Sequence, residues 1–452
     1  MKQQFTGNAT GSASFELTPE KLVYGGAALG RHEGHPVLVS GTLPGEHVEA
    51  EVTRQAKGMV HARLLKVITP SPERITAACP YFGRCGGCHY QQLDAAGQLE
   101  AKREILRETL RRIGGIDWQG KIGLHAADPW RYRNQAQLKV RPNQDGGIAI
   151  GFYEADSHRL VSVDACPILS PRLNAILAEV SRSEWKQRLS RITEIDLFAD
   201  DRDEEVMLTF RGQCGDRERL AQDCFTHLPG VATVVFEAVL PPPMPARTRS
   251  AARAHHSKSV GDLNVFGKPR IKYRAGDCTY DVSPGSFFQA SRFLLPELVA
   301  MVTGGAGGSL ALDLYAGVGL FTLPLAQRFN HVIAVEANPP AAADLERNIK
   351  AAALANARAV AAKTSDFLRR YAHAVPDLAV LDPPRAGADT TTLRLLSSLG
   401  PSHIRYVSCQ PPTLARDLAF LLRQGYRLES VELFDLFPQT FHIESVAMCV
   451  RS

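Results

Sequence analysis

The chain has 452 residues, 44% hydrophobic and 22% charged, with a net charge of +5. These values exclude a disordered, collagenous or fibrous chain and predict several globular domains. No apolar run approaches the roughly 20 residues that span a bilayer. The start, MKQQFTGNAT, has no apolar signal core, so the cytoplasm is the expected compartment and no membrane partner is expected.

Residues 14–70 read as short alternating segments broken by glycine. LVYGG, PVLVSG, HVEAEVTR and HARLLKVI are strand-like, and about five such strands suit a small barrel of the oligonucleotide-binding type. Lys57, His61, Arg63 and Lys66 would give it a basic rim; a small β-domain without a ligand is the plainer alternative. ITAACPYFGRCGGCHYQQ follows, then the helical stretch QLEAKREILRETLRRIGG. There Leu99, Ile105, Leu106, Leu110 and Ile113 form an apolar stripe, and Gly114–Gly115 a stop.

QAQLKVRP, GIAIGFYE, EEVMLTFRG and ATVVFEAVL are β-like. Residues 241–260 are proline-rich, basic and aperiodic, which predicts a mobile loop or domain boundary. From about 272 onward the strand runs SLALDLYAG, HVIAVEAN, LAVLDPP and RYVSC alternate with Ala- and Leu-rich helical stretches. That grammar means a parallel sheet with crossover helices. The tail, SVELFDLFPQTFHIESVAMCVRS, reads as two long strands joined by a polar–aromatic loop. Basic residues concentrate in 98–141 and in 241–274, where Asp262 is the single acid. This suits a polyanion, although two solvated faces would look the same.

Five constellations carry chemistry. Asp313, Tyr315, Gly317 and Gly319 follow an apolar strand and open a helix, where glycines let a ligand approach the backbone. Glu336 ends the next strand, placed for ribose hydroxyls, and Asp366 could face an adenine amino group. Asp382 precedes Pro383-Pro384-Arg385, a rigid exit from the sheet's carboxyl edge. Cys409, after Val407-Ser408, is a candidate nucleophile at a strand end, whereas Cys449 reads as core. His442 or Glu444, between the last two strands, could serve as a base. Finally, Cys79, Cys85 and Cys88 can converge on one centre, with Cys166 the best distant fourth ligand and His89 a weaker one. Four thiolates suit an iron–sulfur cluster or zinc.

Together these motifs resemble the S-adenosylmethionine-dependent RNA 5-methyluridine methyltransferases, within them the iron–sulfur members that modify 23S rRNA. The resemblance rests on C-x5-C-G-G-C, SPGSFFQ, DLYAGVGLF, VEAN, LDPPRAG, VSCQPPTLARDL and FPQTFHIE, and covers nearly the whole chain. It implies a multidomain protein: an OB-like barrel of the TRAM type over 1–72, a central α+β iron–sulfur domain over 73–270, and a C-terminal α/β Rossmann-like class I methyltransferase over 271–452. The helix near 93–115 would pack with the catalytic domain.

It further implies that Cys409 is the nucleophile and Glu444 the base, and that Gln289, Tyr315, Gly317, Gly319, Glu336, Asp366 and Asp382 bind S-adenosylmethionine. Cys79, Cys85, Cys88 and Cys166 would hold a [4Fe-4S] cluster. The expected substrate is an unstacked uridine of 23S rRNA, with no obligate protein partner. Ala316, Leu320 and Ser291 depart from the family pattern, and Leu320 removes a potential polar contact to the cofactor. Alternatives are methylation of the T-loop uridine of tRNA and a catalytically silent RNA-binding iron–sulfur protein. A DNA cytosine methyltransferase fits less well, because its nucleophile sits in a Pro-Cys loop.

Overall fold

The computed structural model describes residues 14–56, 58–143, 147–237, 263–371 and 374–452; Lys57 and the 241–260 segment lie outside them. The chain divides into two compact units. One comprises 1–130, 154–157 and 378–452, the other 131–153 and 158–377.

In the first unit, six strands pair in the order Ser14–Leu17, His47–Ala56, Met59–Thr69, His35–Ser40, Ala27–His32 and Lys21–Leu22. The alternation read in the sequence is realised, with Leu17, Val37, Val39, Val48, Ala50, Val60 and Ala62 turned into one apolar core. Each of these leucine and valine side chains contributes about 1.5–3 kcal/mol when fully withdrawn from water. Arg63 and Lys66 of the expected basic rim are exposed, Arg63 ion-paired with Glu51.

The same unit holds a run of strands Leu378–Leu381, His403–Ser408, Glu444–Arg451, Tyr426–Phe434 and Ile122–His125. Leu378–Leu381 runs parallel to His403–Ser408, whereas the two final strands are antiparallel neighbours. Ile122–His125 adds a parallel edge beside Tyr426–Phe434, a pairing between residues more than 300 apart that no local pattern announces. The helix Pro411–Arg423 packs on the helix Ala95–Gly114, so the stretch after the thiol motif joins the elements around Cys409.

Ala95–Gly114 ends as its glycines predict. Gly115 is left-handed at φ 65°, and its N–H donates to Arg111. The buried face differs from the expected stripe. Ile105, Leu106 and Leu110 are buried, but Ile113 is exposed, and Gln98 and Lys102 lie inward. The physical reason is that both polar side chains find partners in the loop before Glu444, which removes the cost of burying them.

In the second unit a seven-stranded sheet runs from Leu160–Ser162 through Ile148–Tyr153, Gln135–Pro142, Ile192–Ala199, Val206–Gly212 and Val231–Glu237 to Leu263–Gly267. A hairpin of Ile271–Ala275 with Cys278–Val282 follows. Gly308–Leu314, Phe329–Glu336 and Ala357–Ala361 are then mutually parallel, as the strand–helix alternation predicts. Among the described residues no helix is long and apolar enough to cross a membrane.

Candidate active site

Cys409 directly follows the strand His403–Ser408, and Glu444 opens the antiparallel strand beside it. Register pairs Ser408 with Ser445, and the Ser445 hydroxyl donates to the Ser408 carbonyl at 3.2 Å, so the thiol and the carboxyl are carried on adjacent strand ends. Pro411 and Pro412 start a helix just beyond, because their fixed φ and missing N–H suit a first turn.

Glu444 is 3% exposed and Cys409 half-buried. Burial pushes the Cys409 thiol up to about 12, the charges of Glu444 and Asp382 add to that, and Arg385 opposes them. Burial likewise raises Glu444 well above the usual carboxylate range, with Asp382 adding and Arg385 opposing. The same few groups thus act on one another, which is the electrostatic signature of a shared site. His442 is not buried with them; its ring packs on Phe441 and Phe437. Of the two candidate bases, the structure places Glu444 among the charged groups around Cys409.

The loop carrying Asp382 and Arg385 is fixed from outside. Asp417, fully buried on the Pro411–Arg423 helix, accepts from the Ala388 N–H at 2.9 Å and from the Tyr406 hydroxyl at 2.5 Å. Gly387 has φ 77°, and a Cβ there would stand 2.5 Å from Asp417 and Arg416. From the sequence, Asp417 and Tyr406 carry no role of their own; a lone acid in an otherwise amphipathic helix reads as a solvated face.

The glycine loop in the second unit is built as expected. Tyr315 takes φ 64°, unusual for a non-glycine residue, and Gly319 takes φ 98° with Leu345 close behind it. Glu336 receives the Gly317 N–H at 2.8 Å and the Asn338 N–H at 2.6 Å. Its carboxylate therefore orders the loop, beyond the ribose role expected of it. Asp313 is fully buried and receives the Thr322 hydroxyl at 2.5 Å, while its other carboxyl oxygen has no partner. Burial raises it to about 7, with Thr322 opposing and Glu336 adding.

Asp366 pairs with Arg369 at 2.6 Å on a short helix, and Gln289 is buried. The SPGSFFQ segment that ends in Gln289 is held by Asp344, which accepts from the Ser283 N–H and hydroxyl and from the Ser286 hydroxyl. Asp344 and the neighbouring Asn348 gave no sequence signal of their own. Leu320 sits in the core, and its carbonyl accepts from the buried Tyr280 hydroxyl at 2.9 Å.

Cys79, Cys85 and Cys88 fall in the first unit and Cys166 in the second, all partly exposed. Turn hydrogen bonds shape the motif: the Cys85 N–H donates to Tyr81, and the Cys79 N–H to the Gln91 side chain. Four thiols are the right donor chemistry for an iron–sulfur centre. Among the described residues no group of three or more His, Cys, Asp or Glu is placed to hold a metal ion, so the cluster is not shown. Burial lowers His89 to about 4, and its ring lies edge-on to Phe441.

A family profile described as tRNA (Uracil-5-)-methyltransferase matches residues 263–452. A 23S rRNA (uracil(1939)-C(5))-methyltransferase RlmD of Alkalilimnicola ehrlichii is 34% identical over 97% of this chain and 96% of its own. An uncharacterized RNA methyltransferase of Aquifex aeolicus is also 34% identical, over 96% and 97% respectively. Among solved structures, the Pyrococcus abyssi tRNA (uracil-54, C5)-methyltransferase in complex with S-adenosyl-L-homocysteine superposes with a TM-score of 0.73. It is 25% identical, and the match covers 96% of this chain and 100% of that one. With relatives 34% identical along nearly its whole length, the chain belongs to the S-adenosylmethionine-dependent RNA (uracil-5-)-methyltransferase family.

Proposed function

We propose that the protein methylates C5 of a uridine in 23S rRNA through a covalent bond between Cys409 and C6 of the base. The observation that carries this reading is the mutual electrostatic influence of Cys409, Glu444, Asp382 and Arg385. The near full-length similarity to the Alkalilimnicola ehrlichii 23S rRNA enzyme favours ribosomal RNA. An rRNA substrate implies action in the cytoplasm.

Uracil C5 is a weak nucleophile. As the Cys409 thiol loses its proton, Sγ adds to C6 and C5 becomes enolate-like, able to take a methyl group. S-Adenosylmethionine, when bound, supplies that methyl as an electrophile, with Gln289, Tyr315, Gly317, Gly319, Glu336, Asp366 and Asp382 as its proposed contacts. Glu444, as the carboxylate, removes the C5 proton. The Sγ–C6 bond then breaks, C5=C6 reforms and Cys409 recovers its proton. One proton is released overall, and no electron is required. Burial disfavours the ionised forms of both the thiol and the carboxyl, and Arg385 is the cation that opposes this for each. The uridine must leave its stack to present C6.

We take residues 1–72 as an RNA-binding barrel of the TRAM type, 73–270 as the iron–sulfur domain and 271–452 as the methyltransferase domain. Cys79, Cys85, Cys88 and Cys166 are kept as proposed [4Fe-4S] ligands on motif spacing and donor chemistry alone. Iron and sulfide analysis of anoxically purified protein, beside Cys88→Ser, tests this, and equal metal content in the two would remove the assignment.

A second reading, methylation of the T-loop uridine of tRNA, is favoured by the fold shared with the Pyrococcus abyssi tRNA enzyme. Tritiated S-adenosylmethionine, offered with unmodified 23S rRNA and tRNA transcripts separately, decides between them. Label as 5-methyluridine in 23S rRNA, absent with Cys409→Ala, is expected. Label confined to tRNA would select the second reading.

A further inference from the structure

A side chain of the N-terminal sheet, Tyr24, lies within the electrostatic influence of Cys409, Arg385 and Glu444. Tyr24 lies in the turn between Lys21–Leu22 and Ala27–His32, closed by the Val23 N–H donating to Ala27 at 3.0 Å. Its ring meets Phe441 edge-on, with centroids 5.4 Å apart, and Phe441 stands three residues before Glu444. His89 packs on the same phenylalanine at 4.6 Å. The ring environment is therefore apolar and aromatic, and a phenylalanine would fill it equally well.

The hydroxyl is what the packing leaves unexplained. It is buried and has no hydrogen-bond partner. A buried donor left unpaired costs free energy and calls for a reason. Burial is the largest influence raising the Tyr24 phenol, and the charges that act on it next are those of Cys409, Arg385 and Glu444. The hydroxyl thus belongs electrostatically to the same site as the nucleophile and the proposed base.

We propose that the Tyr24 hydroxyl binds the target base, donating a hydrogen bond to a ring carbonyl of the unstacked uracil at Cys409. This rests on the uracil-methylating reading above and adds to it a substrate-binding residue from the N-terminal sheet. Uracil presents two carbonyl acceptors and one N–H, so a neutral phenol aimed at the base finds a partner only when the base is in place. Leaving the hydroxyl unpaired without substrate concentrates its benefit in the bound state.

The test is Tyr24→Phe, which keeps the ring on Phe441 and removes only the hydroxyl. Methylation of uridine transcripts should lose about tenfold in kcat/KM, the scale of one hydrogen bond in a desolvated site. The melting temperature should stay level or rise, because an unpaired buried hydroxyl has gone. Transcripts carrying 2-thiouridine or 4-thiouridine at the target give a second readout. At least one of these weaker acceptors should slow the native enzyme more than it slows Tyr24→Phe. A variant within twofold of the native enzyme, or thio effects equal in both proteins, would overturn the assignment. A native enzyme inert toward every RNA offered would overturn the uracil reading first, and this one with it.

Discussion

Lys102, fully buried on the Ala95–Gly114 helix, holds its Nζ 2.7 Å from the Asp435 carboxylate and 3.0 Å from the Phe437 carbonyl. One turn earlier, Gln98 exchanges hydrogen bonds with Gln439, which sits at φ 69°. The Gln439 carbonyl in turn accepts the N–H groups of His89 and Tyr90. The loop that leads into Glu444 is therefore pinned by the segment immediately following Cys88.

Removing one member of such a buried pair leaves the other charge uncompensated. Lys102→Met should destabilise the protein by about 3–5 kcal/mol, read as a fall in urea midpoint. Adding Asp435→Leu should recover much of that loss, because an apolar pair of similar volume replaces two desolvated charges. A double variant no more stable than Lys102→Met would contradict the argument.

The thiol prediction concerns pH. Because burial and the neighbouring carboxylates raise Cys409 to about 12, it is protonated in the resting protein at neutral pH. Its alkylation by iodoacetamide, followed by mass spectrometry of the Cys409 peptide, should still be accelerating at the alkaline end of the accessible range. Arg385→Ala should slow it further, since the opposing cation is gone. A plateau at the ordinary thiol value of about 8.5 would show that burial does not govern this group.

Asp313 offers a linkage test. Its carboxyl is raised to about 7 in the folded protein, from an ordinary value near 4. Between those values the folded state binds more protons than the unfolded one, so this group's contribution to stability falls as pH rises. The stabilisation is complete below about pH 4 and gone above about pH 7. Asp313→Asn, measured by urea unfolding across that window, should lack a decline on the order of 4 kcal/mol seen in the native protein. Parallel curves for the two proteins would refute it.

Gly387→Ala should cost at least about 1–2 kcal/mol from the left-handed backbone alone, and more from the clash with Asp417 and Arg416. Because this turn follows Asp382 and Arg385, kcat should drop more than stability does. Equal stability and activity in the variant would mean the loop is less constrained than its hydrogen bonds imply.

The strand–helix alternation after 272, the two long terminal strands and the end of the Ala95–Gly114 helix were legible because each is written in local periodicity and turn chemistry. Cys409 and Glu444 were legible as candidates because a thiol and a carboxyl at the ends of apolar strands are locally odd. The sequence could rank His442 and Glu444 only through resemblance. The structure separates them by burial: Glu444 is buried under the influence of Asp382 and Arg385, and the partly exposed His442 packs edge-on to Phe437.

By itself, then, the sequence determined the element types, the glycine loop and the reactive groups, all of which depend on residues within a few positions of one another. Only the tertiary structure decided which polar groups are buried and with whom. Gln98 and Lys102 face inward to meet Gln439 and Asp435, Asp417 meets Ala388, and Tyr24 approaches Phe441 from a turn more than 400 residues away. A polar residue reads as exposed until a partner distant in the chain satisfies it, and local patterns carry no information about such partners. The same reason left the four cysteines undecided: spacing proposes a ligand set, but convergence is a property of the folded chain.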